Sequence, residues 1–238
     1  MNIITAIREE ILVPIHPAGW PFIGAFAVVS AIITALWTPF WPFGLALTLW
    51  CVYFFRNPPR TIPQKPGWII APADGRVISV DEADVPEELD LPEGSYRCIA
   101  IFMNVFDVHV NRMPASGAVH GTRYIPGAFL NASLDKASTD NERMALTIDL
   151  DADQGGKRIG VVQIAGLVAR RILCDVQSGD RLQTGQVFGL IRFGSRVDVW
   201  LPAEVSVMVL PGQKTIAGET VLADMTAYQH GPDGAVTR

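Results

Sequence analysis

The stretch FGSRVDVWLP, Phe193 to Pro202, decides how this chain is read. From Ser195 onward it alternates with the period of a β-strand. Ser195, Val197, Val199 and Leu201 fall on one face; Arg196, Asp198 and Trp200 fall on the other. The first face is apolar, so a hydroxyl stands on the side that packs inward, directly after Gly194. A buried hydroxyl without a partner costs about 1–3 kcal/mol. Two readings compete at this point. In one, the glycine marks a bulge and the serine bonds nearby backbone. In the other, the serine is there for chemistry.

Working outward, the chain after NPPRTIPQKPG (Asn57–Gly67) is a series of short alternating runs. They include WIIAPADGRVISV, YRCIAIFMNVFDVHVNRM, MALTIDL and EVSVMVL, with proline and glycine between them. This texture predicts a mainly β domain, a compact sandwich or barrel. GDRLQTGQVFG and GQKTIAGETVL echo each other, with Gly179 and Gly185 six apart and Gly212 and Gly218 six apart. The echo suggests a pseudo-symmetric folded ribbon like the barrel-sandwich hybrid of lipoyl and biotinyl carriers. A carrier needs a lysine at a hairpin tip, usually between methionines, and no such turn occurs. A non-catalytic membrane-anchored β module of this kind stays as an alternative. Asp74-Gly75 is a hairpin-turn signal.

The front of the chain is different. Between Glu10 and Arg56 there is no Lys, Arg, Asp or Glu. Pro21–Trp37 and Phe40–Phe55 are apolar runs separated by TPFWP, a helix breaker. Each is slightly short of the roughly 20 residues a spanning helix needs. A helical hairpin over 1–56, spanning twice or dipping in from one side, is expected ahead of a β domain over 57–238. The competing reading is a buried core hairpin. Trp20, Trp37, Trp41 and Trp50 suit interface anchors, and Arg8, Arg56, Arg60 and Lys65 place both ends on the cytoplasmic side of the cell membrane. The three cysteines are far apart and form no CxxC pair, which fits a reducing compartment and suggests no metal site. A net charge of −5 argues against a nucleic-acid partner.

Of the four histidines, His109 stands out. In NVFDVHVNRMP, Asp107, His109 and Asn111 share one strand face and Phe106, Val108 and Val110 the other. A solvated polar face and a catalytic face explain this stripe equally well. His109 and His120 do not make a zinc site, which needs three or four ligands. Ser195 is not in a GxSxG elbow, which disfavours an ordinary α/β-hydrolase.

RNPPR, APADGRV, NVFDVHVNRMPASG, YIPGAFLNAS, NER and GQVFGLIRFGSRVDVWLP, in this order and after an apolar hairpin, resemble the short form of the phosphatidylserine decarboxylases. The resemblance runs through nearly the whole chain. It implies a proenzyme that cuts itself between Gly194 and Ser195 into a large N-terminal and a small C-terminal chain, which stay together as a heterodimer. A higher oligomer is left open. It implies that Ser195 becomes a pyruvoyl cofactor, which forms a Schiff base with phosphatidylserine and serves as electron sink in place of pyridoxal phosphate. Carbon dioxide leaves and phosphatidylethanolamine is released. By motif match Ser195, His109 and Asp74 are the catalytic set, His109 as base and Asp74 as its orienter, with Asp107 a rival carboxylate.

Longer members carry a second histidine where this chain has Arg112, so His109 is expected to serve both maturation and decarboxylation. Their cleavage motif reads Leu-Gly-Ser-Thr; here it is Phe-Gly-Ser-Arg. Phe129 is a candidate for lipid contact, and Asn141 or Arg143 for the headgroup. Pyruvoyl decarboxylases of soluble amino acids are the alternative, but they need no membrane hairpin.

Overall fold

A computed structural model describes residues 13–130, 132, 137–166, 171–192 and 194–227. Arg8, Phe193 and residues 131 and 133–136 of the GAFLNASLDKASTDNER loop lie outside them. The chain divides into two compact units, Met1–Pro59 and Arg60–Arg238.

In the first unit, helices α1 (Trp20–Leu36) and α2 (Trp41–Phe54) are joined by a single 3-10 turn, Thr38–Phe40. Pro21 and Pro42 sit in the first turn of each helix, where a missing N–H costs nothing. The helices approach closely at Ser30 and Gly44. Ser30 Oγ donates to the Gly44 carbonyl at 3.2 Å, and a Cβ on Gly44 would lie 2.8 Å from that of Ser30. Their far ends are tied by an antiparallel bridge between Ile15 and Arg56. Asn57 N–H also donates to the Pro14 carbonyl at 2.7 Å. The hairpin therefore returns the chain to where it entered. Its apolar side chains face outward: Leu36 is 85% exposed and Trp37 61%. Only 6% of the Pro17–Leu36 span is buried, and among the described residues it is the one helix long and apolar enough to cross a membrane. A buried core hairpin does not describe this unit.

The second unit is built of β1 (Trp68–Ile70), β2 (Gly75–Ala83), β3 (Tyr96–Met103), β4 (Val110–Arg112), β5 (Gly117–Ile125), β6 (Arg143–Leu150) and β7 (Arg158–Ala165). It continues with β8 (Ile172–Cys174), β9 (Arg181–Leu182), β10 (Val187–Ile191), β11 (Ser195–Pro202), β12 (Ser206–Val207), β13 (Lys214–Thr215) and β14 (Val221–Asp224). Eight form one sheet in the order β13-β2-β3-β11-β7-β6-β5-β9. Two three-stranded sheets, β1-β14-β12 and β4-β10-β8, complete it. The mainly β fold behind an apolar helical hairpin is as expected.

The FGSRVDVWLP strand, β11, lies inside the large sheet. It pairs antiparallel with β3 from Ser195↔Met103 to Pro202↔Tyr96, and with β7 from Ser195↔Ala165 to Trp200↔Gly160. Val197, Val199 and Leu201 enter the main core with Ile101, Met103, Val161 and Phe188. The opposite face is also buried, because Leu89, Tyr96, Cys98, Val162 and Ile164 pack around Trp200. Arg196 and Asp198 are thus desolvated together, joined at 2.5 and 2.9 Å. Burial pushes the Asp198 carboxyl up, and the Arg196 charge and hydrogen bonds oppose it.

The glycine echo is one half of an internal repeat. Asp74-Gly75 is not a hairpin turn: β1 and β2 belong to different sheets, and the dipeptide is the corner where the chain passes from one to the other. Pro72-Ala-Asp-Gly-Arg-Val77 has a counterpart in Pro114-Ala-Ser-Gly-Ala-Val119, the corner between β4 and β5. The contacts repeat with the sequence. Val77 N–H bonds the Gln213 carbonyl and Val119 N–H that of Asp180. Gly218 N–H bonds the Ala71 carbonyl and Gly185 N–H that of Met113. Strands β13 and β9 then close the two edges of the large sheet on β2 and β5. The repeat brings β4, and His109 just before it, to the end of the sheet where β11 begins.

Candidate active site

The site begins with a backbone kink. Gly194 has φ +69°, the left-handed region in which a side chain is strained. There is room for a Cβ, since the nearest atom would be 4.0 Å away, so the torsion is what calls for glycine. The next residue, Ser195, enters the ladder between β3 and β7 and is fully buried. Its hydroxyl points at the Met103 sulfur, 3.8 Å away, a weak acceptor. Among the described residues the serine hydroxyl makes no bond to nearby backbone.

The Gly194 carbonyl is packed against Gly166, the residue after β7. A Cβ on Gly166 would lie 2.2 Å from the Gly194 oxygen and 3.0 Å from its carbon. Both are backbone atoms, so they cannot swing aside as a side-chain tip would. Gly166→Ala is expected to shift the Gly194–Ser195 peptide and slow any reaction at it by about tenfold or more. The fraction of cut chain against time after synthesis measures this, and cutting at the unsubstituted rate would show that the contact does not matter.

His109 is also fully buried. The polar stripe of Asp107, His109 and Asn111 is thus not a solvated face: His109 and Asn111 point inward, and the apolar Phe106 is the exposed residue, at 61%. The chain turns over 104–108 before β4 starts, and Val108, His109, Val110 and Asn111 are then all buried, so both faces of this stretch are covered. His109 Nδ1 lies 3.0 Å from the Asp107 carbonyl oxygen. That oxygen can only accept, so Nδ1 carries the proton and Nε2 is the basic nitrogen. Nε2 accepts the Gly194 N–H at 3.1 Å. A neutral imidazole with its lone pair at the kink stands one peptide unit from the Gly194–Ser195 bond.

The two candidate carboxylates are placed otherwise. Asp107 uses its side chain to accept from the Asn104 amide groups and reaches His109 through its main-chain oxygen. Asp74 accepts from Arg60 at 2.8 and 2.9 Å and from the Ala217 N–H at 2.8 Å. In the second repeat Ser116 does the same job, accepting from Thr184 N–H at 3.0 Å. The Asp74 carboxylate is thus held in its own corner by Arg60 and Ala217. Register still brings it to the right end of the sheet: Arg76 and Arg196 flank Phe102 from opposite sides, and Asp74 and Gly194 each lie two residues further on. Arg112 donates to the Gly185 carbonyl at 3.0 Å. Burial lowers its pKa, the neighbouring Arg60 adds to this, and Asp74 opposes it.

Asn141 is fully buried and bound to backbone three times. It accepts from Leu130 N–H at 2.9 Å and donates to the carbonyls of Leu130 at 2.8 Å and Ala165 at 2.7 Å. Ala165 is the residue opposite Ser195, so this side chain ties Leu130 to the strand residue that faces the serine. Arg143 is held by Glu88 and by the Thr139 carbonyl. Phe129 is half-buried against the main core.

Three residues beside Ser195 were not expected from the sequence: Gly166, Met103 and Gln163. Gln163 Nε2 donates to Asn111 Oδ1 at 2.8 Å inside the core. A polar residue in the apolar run VVQIAG was the available signal.

The model of the family described as phosphatidylserine decarboxylase matches residues 47–223, which contain every residue of this site. The chain is 52% identical over 219 residues to a phosphatidylserine decarboxylase proenzyme of Ruegeria pomeroyi, covering 92% of this chain and 99% of that protein. It is also 52% identical over 224 residues to one of Beijerinckia indica subsp. indica, covering 94% of each. Likeness of this depth along almost the full length of both relatives, together with the family match, shows the membership: the chain belongs to the phosphatidylserine decarboxylase family.

Proposed function

We propose that the chain is a proenzyme that cuts itself between Gly194 and Ser195 and, as two chains, decarboxylates phosphatidylserine to phosphatidylethanolamine. The observation that carries this reading is the basic nitrogen of His109 at the Gly194 amide, with a buried serine next in sequence. Ser195 Oγ attacks the Gly194 carbonyl carbon, and the peptide bond becomes an ester. Loss of the Ser195 α-proton then expels the upstream chain as a carboxylate. His109 is the base, and the Asp107 carbonyl fixes its tautomer. Asp74 acts at one remove, holding Arg60 next to Arg112 and closing the corner from which β2 leaves.

The surroundings of Ser195 fit a pyruvoyl group made from it. Ladders on both sides hold the new end of β11 in place after the cut. The same pairing keeps the small chain bound to the large one. The Met103 thioether borders the serine side chain and suits the methyl of a ketone. When formed, the pyruvoyl ketone supplies the electron sink for loss of carbon dioxide.

The chain is membrane-associated through its apolar hairpin, and we place the β unit on the cytoplasmic side of the cell membrane. Arg56, Arg60 and Lys65, directly after the hairpin, support that side. Phe129 is assigned to lipid contact. Asn141 and Arg143 serve the headgroup indirectly, by fastening the loop that carries Phe129.

Purified enzyme is given phosphatidylserine vesicles or free serine, each with cyanoborohydride. The lipid is expected to yield carbon dioxide, and the reductant to add the mass of its amine to the 195–238 fragment and stop turnover. Turnover of free serine with the lipid untouched would favour a soluble-substrate decarboxylase. Absence of both adduct and carbon dioxide would favour a non-catalytic module.

A further inference from the structure

Four side chains from four strands meet at the start of β11: Met103, Asn111, Gln163 and Ser195. Gln163 is 1% exposed and Asn111 fully buried. Gln163 Nε2 is used on Asn111, but among the described residues no donor reaches Gln163 Oε1. Among the described residues Asn111 Nδ2 has only the Met103 sulfur, at 3.9 Å, the same atom that Ser195 Oγ approaches at 3.8 Å. One strong acceptor and one strong donor are thus left with poor partners beside Ser195. Gln163 faces Val197 in the ladder and Ala165 faces Ser195. Gln163 is therefore the diagonal neighbour of the serine on the same sheet face, roughly 7–8 Å away, a span long side chains cover. Gly189 makes room for it, since a Cβ there would lie 3.1 Å from Gln163 Nε2.

An unsatisfied buried amide is costly, and apolar residues of the same shape would fold as well or better. The self-processing reading gives these groups a task. Once the upstream chain has left, residue 195 holds a dehydroalanine that tautomerises to an imine. The last step is C=NH + H2O → C=O + NH3, with no change of oxidation state. It consumes a water and releases an ammonia at a residue with no exposed surface. We propose that the Asn111–Gln163 amide pair is a small-molecule site for that step. Asn111 Nδ2 donates to the water oxygen, Gln163 Oε1 accepts one of its protons, and the departing ammonia uses the same two groups. The inference rests on self-cleavage at Ser195 and adds to it the residues that finish the group.

The test follows full-length wild type, Gln163→Leu and Asn111→Leu from synthesis, measuring chain scission and released ammonia in parallel. Borohydride quenching of the folded protein adds a chemical readout. It reduces a remaining imine to an N-terminal alanine, open to sequencing, and a ketone to a blocked lactyl group. Wild type is expected to release ammonia in step with scission. Both variants should cut at the wild-type rate but release ammonia about tenfold or more slowly, with alanine ends after quenching. Ammonia in step with scission in the variants overturns the proposal. Loss of scission together with a fall in melting temperature also overturns it, because the pair then only staples β4 to β7. Wild type that never cuts would instead remove the self-processing reading beneath it.

Discussion

Ser195→Ala is expected to leave the chain in one piece and to lower decarboxylation by about 10⁴-fold or more, the scale on which removal of a nucleophile acts. Without Oγ there is no ester, and without the ester there is nothing to eliminate and no ketone. The fold has little to lose. Among the described residues the Ser195 hydroxyl approaches only a thioether at 3.8 Å, so alanine removes no strong hydrogen bond seen there. The ladder bonds to β3 and β7 involve backbone alone. Melting temperatures of the variant and of unprocessed wild type are expected to agree, since substitutions that break no buried feature change stability by about 0.5 kcal/mol or less. An uncut variant that melts normally and does not decarboxylate is the predicted result. A variant with undiminished activity would mean that the serine is not the source of the reactive group.

His109→Ala is expected to slow scission by about 10²–10⁴-fold, the range contributed by a positioned base. The structure also ranks the neighbours. Asp107 reaches the imidazole through its main-chain oxygen, so Asp107→Asn should process at close to the wild-type rate. Asp74→Asn loses its charge pair with Arg60, whose side chain is only 12% exposed, and is expected to fall between the two. His109→Gln separates shape from chemistry: it can fill the cavity and accept the Gly194 N–H, but it is not a base. Time courses of scission for the five chains decide the order. If Asp107→Asn is as slow as His109→Ala, the carboxylate rather than the carbonyl orients the ring.

The period of FGSRVDVWLP carried the strand, its register of faces and the inward serine. It did not carry the burial of the second face, because Leu89 and Tyr96 cover Trp200 from about a hundred residues away. The side chains at 107, 109 and 111 are legible as a stripe. Whether such a stripe faces water or core depends on what packs over it, and here both faces from Val108 to Asn111 are covered; alternation contains nothing about that. Asp74-Gly75 carries the residues of a hairpin turn. Its use as a corner follows from β1 pairing with β14, more than 150 residues later. For the same reason the partners of Asp74 were hidden: Arg60 lies inside the proline-rich stretch 57–67 and Ala217 in the far half of the repeat. The glycine echo was visible because it recurs over a short interval. Its counterpart, PADGRV against PASGAV, needed the pairing to give it meaning.

The central claim is that the bond between Gly194 and Ser195 is broken by the chain itself. Intact mass under denaturing conditions tests it most directly, on protein purified without added protease. The account predicts two masses, one for residues 1–194 ending in a free carboxylate and one for residues 195–238 beginning with a pyruvoyl group, with only the full-length mass for Ser195→Ala. A single full-length chain in an active wild-type preparation would contradict it.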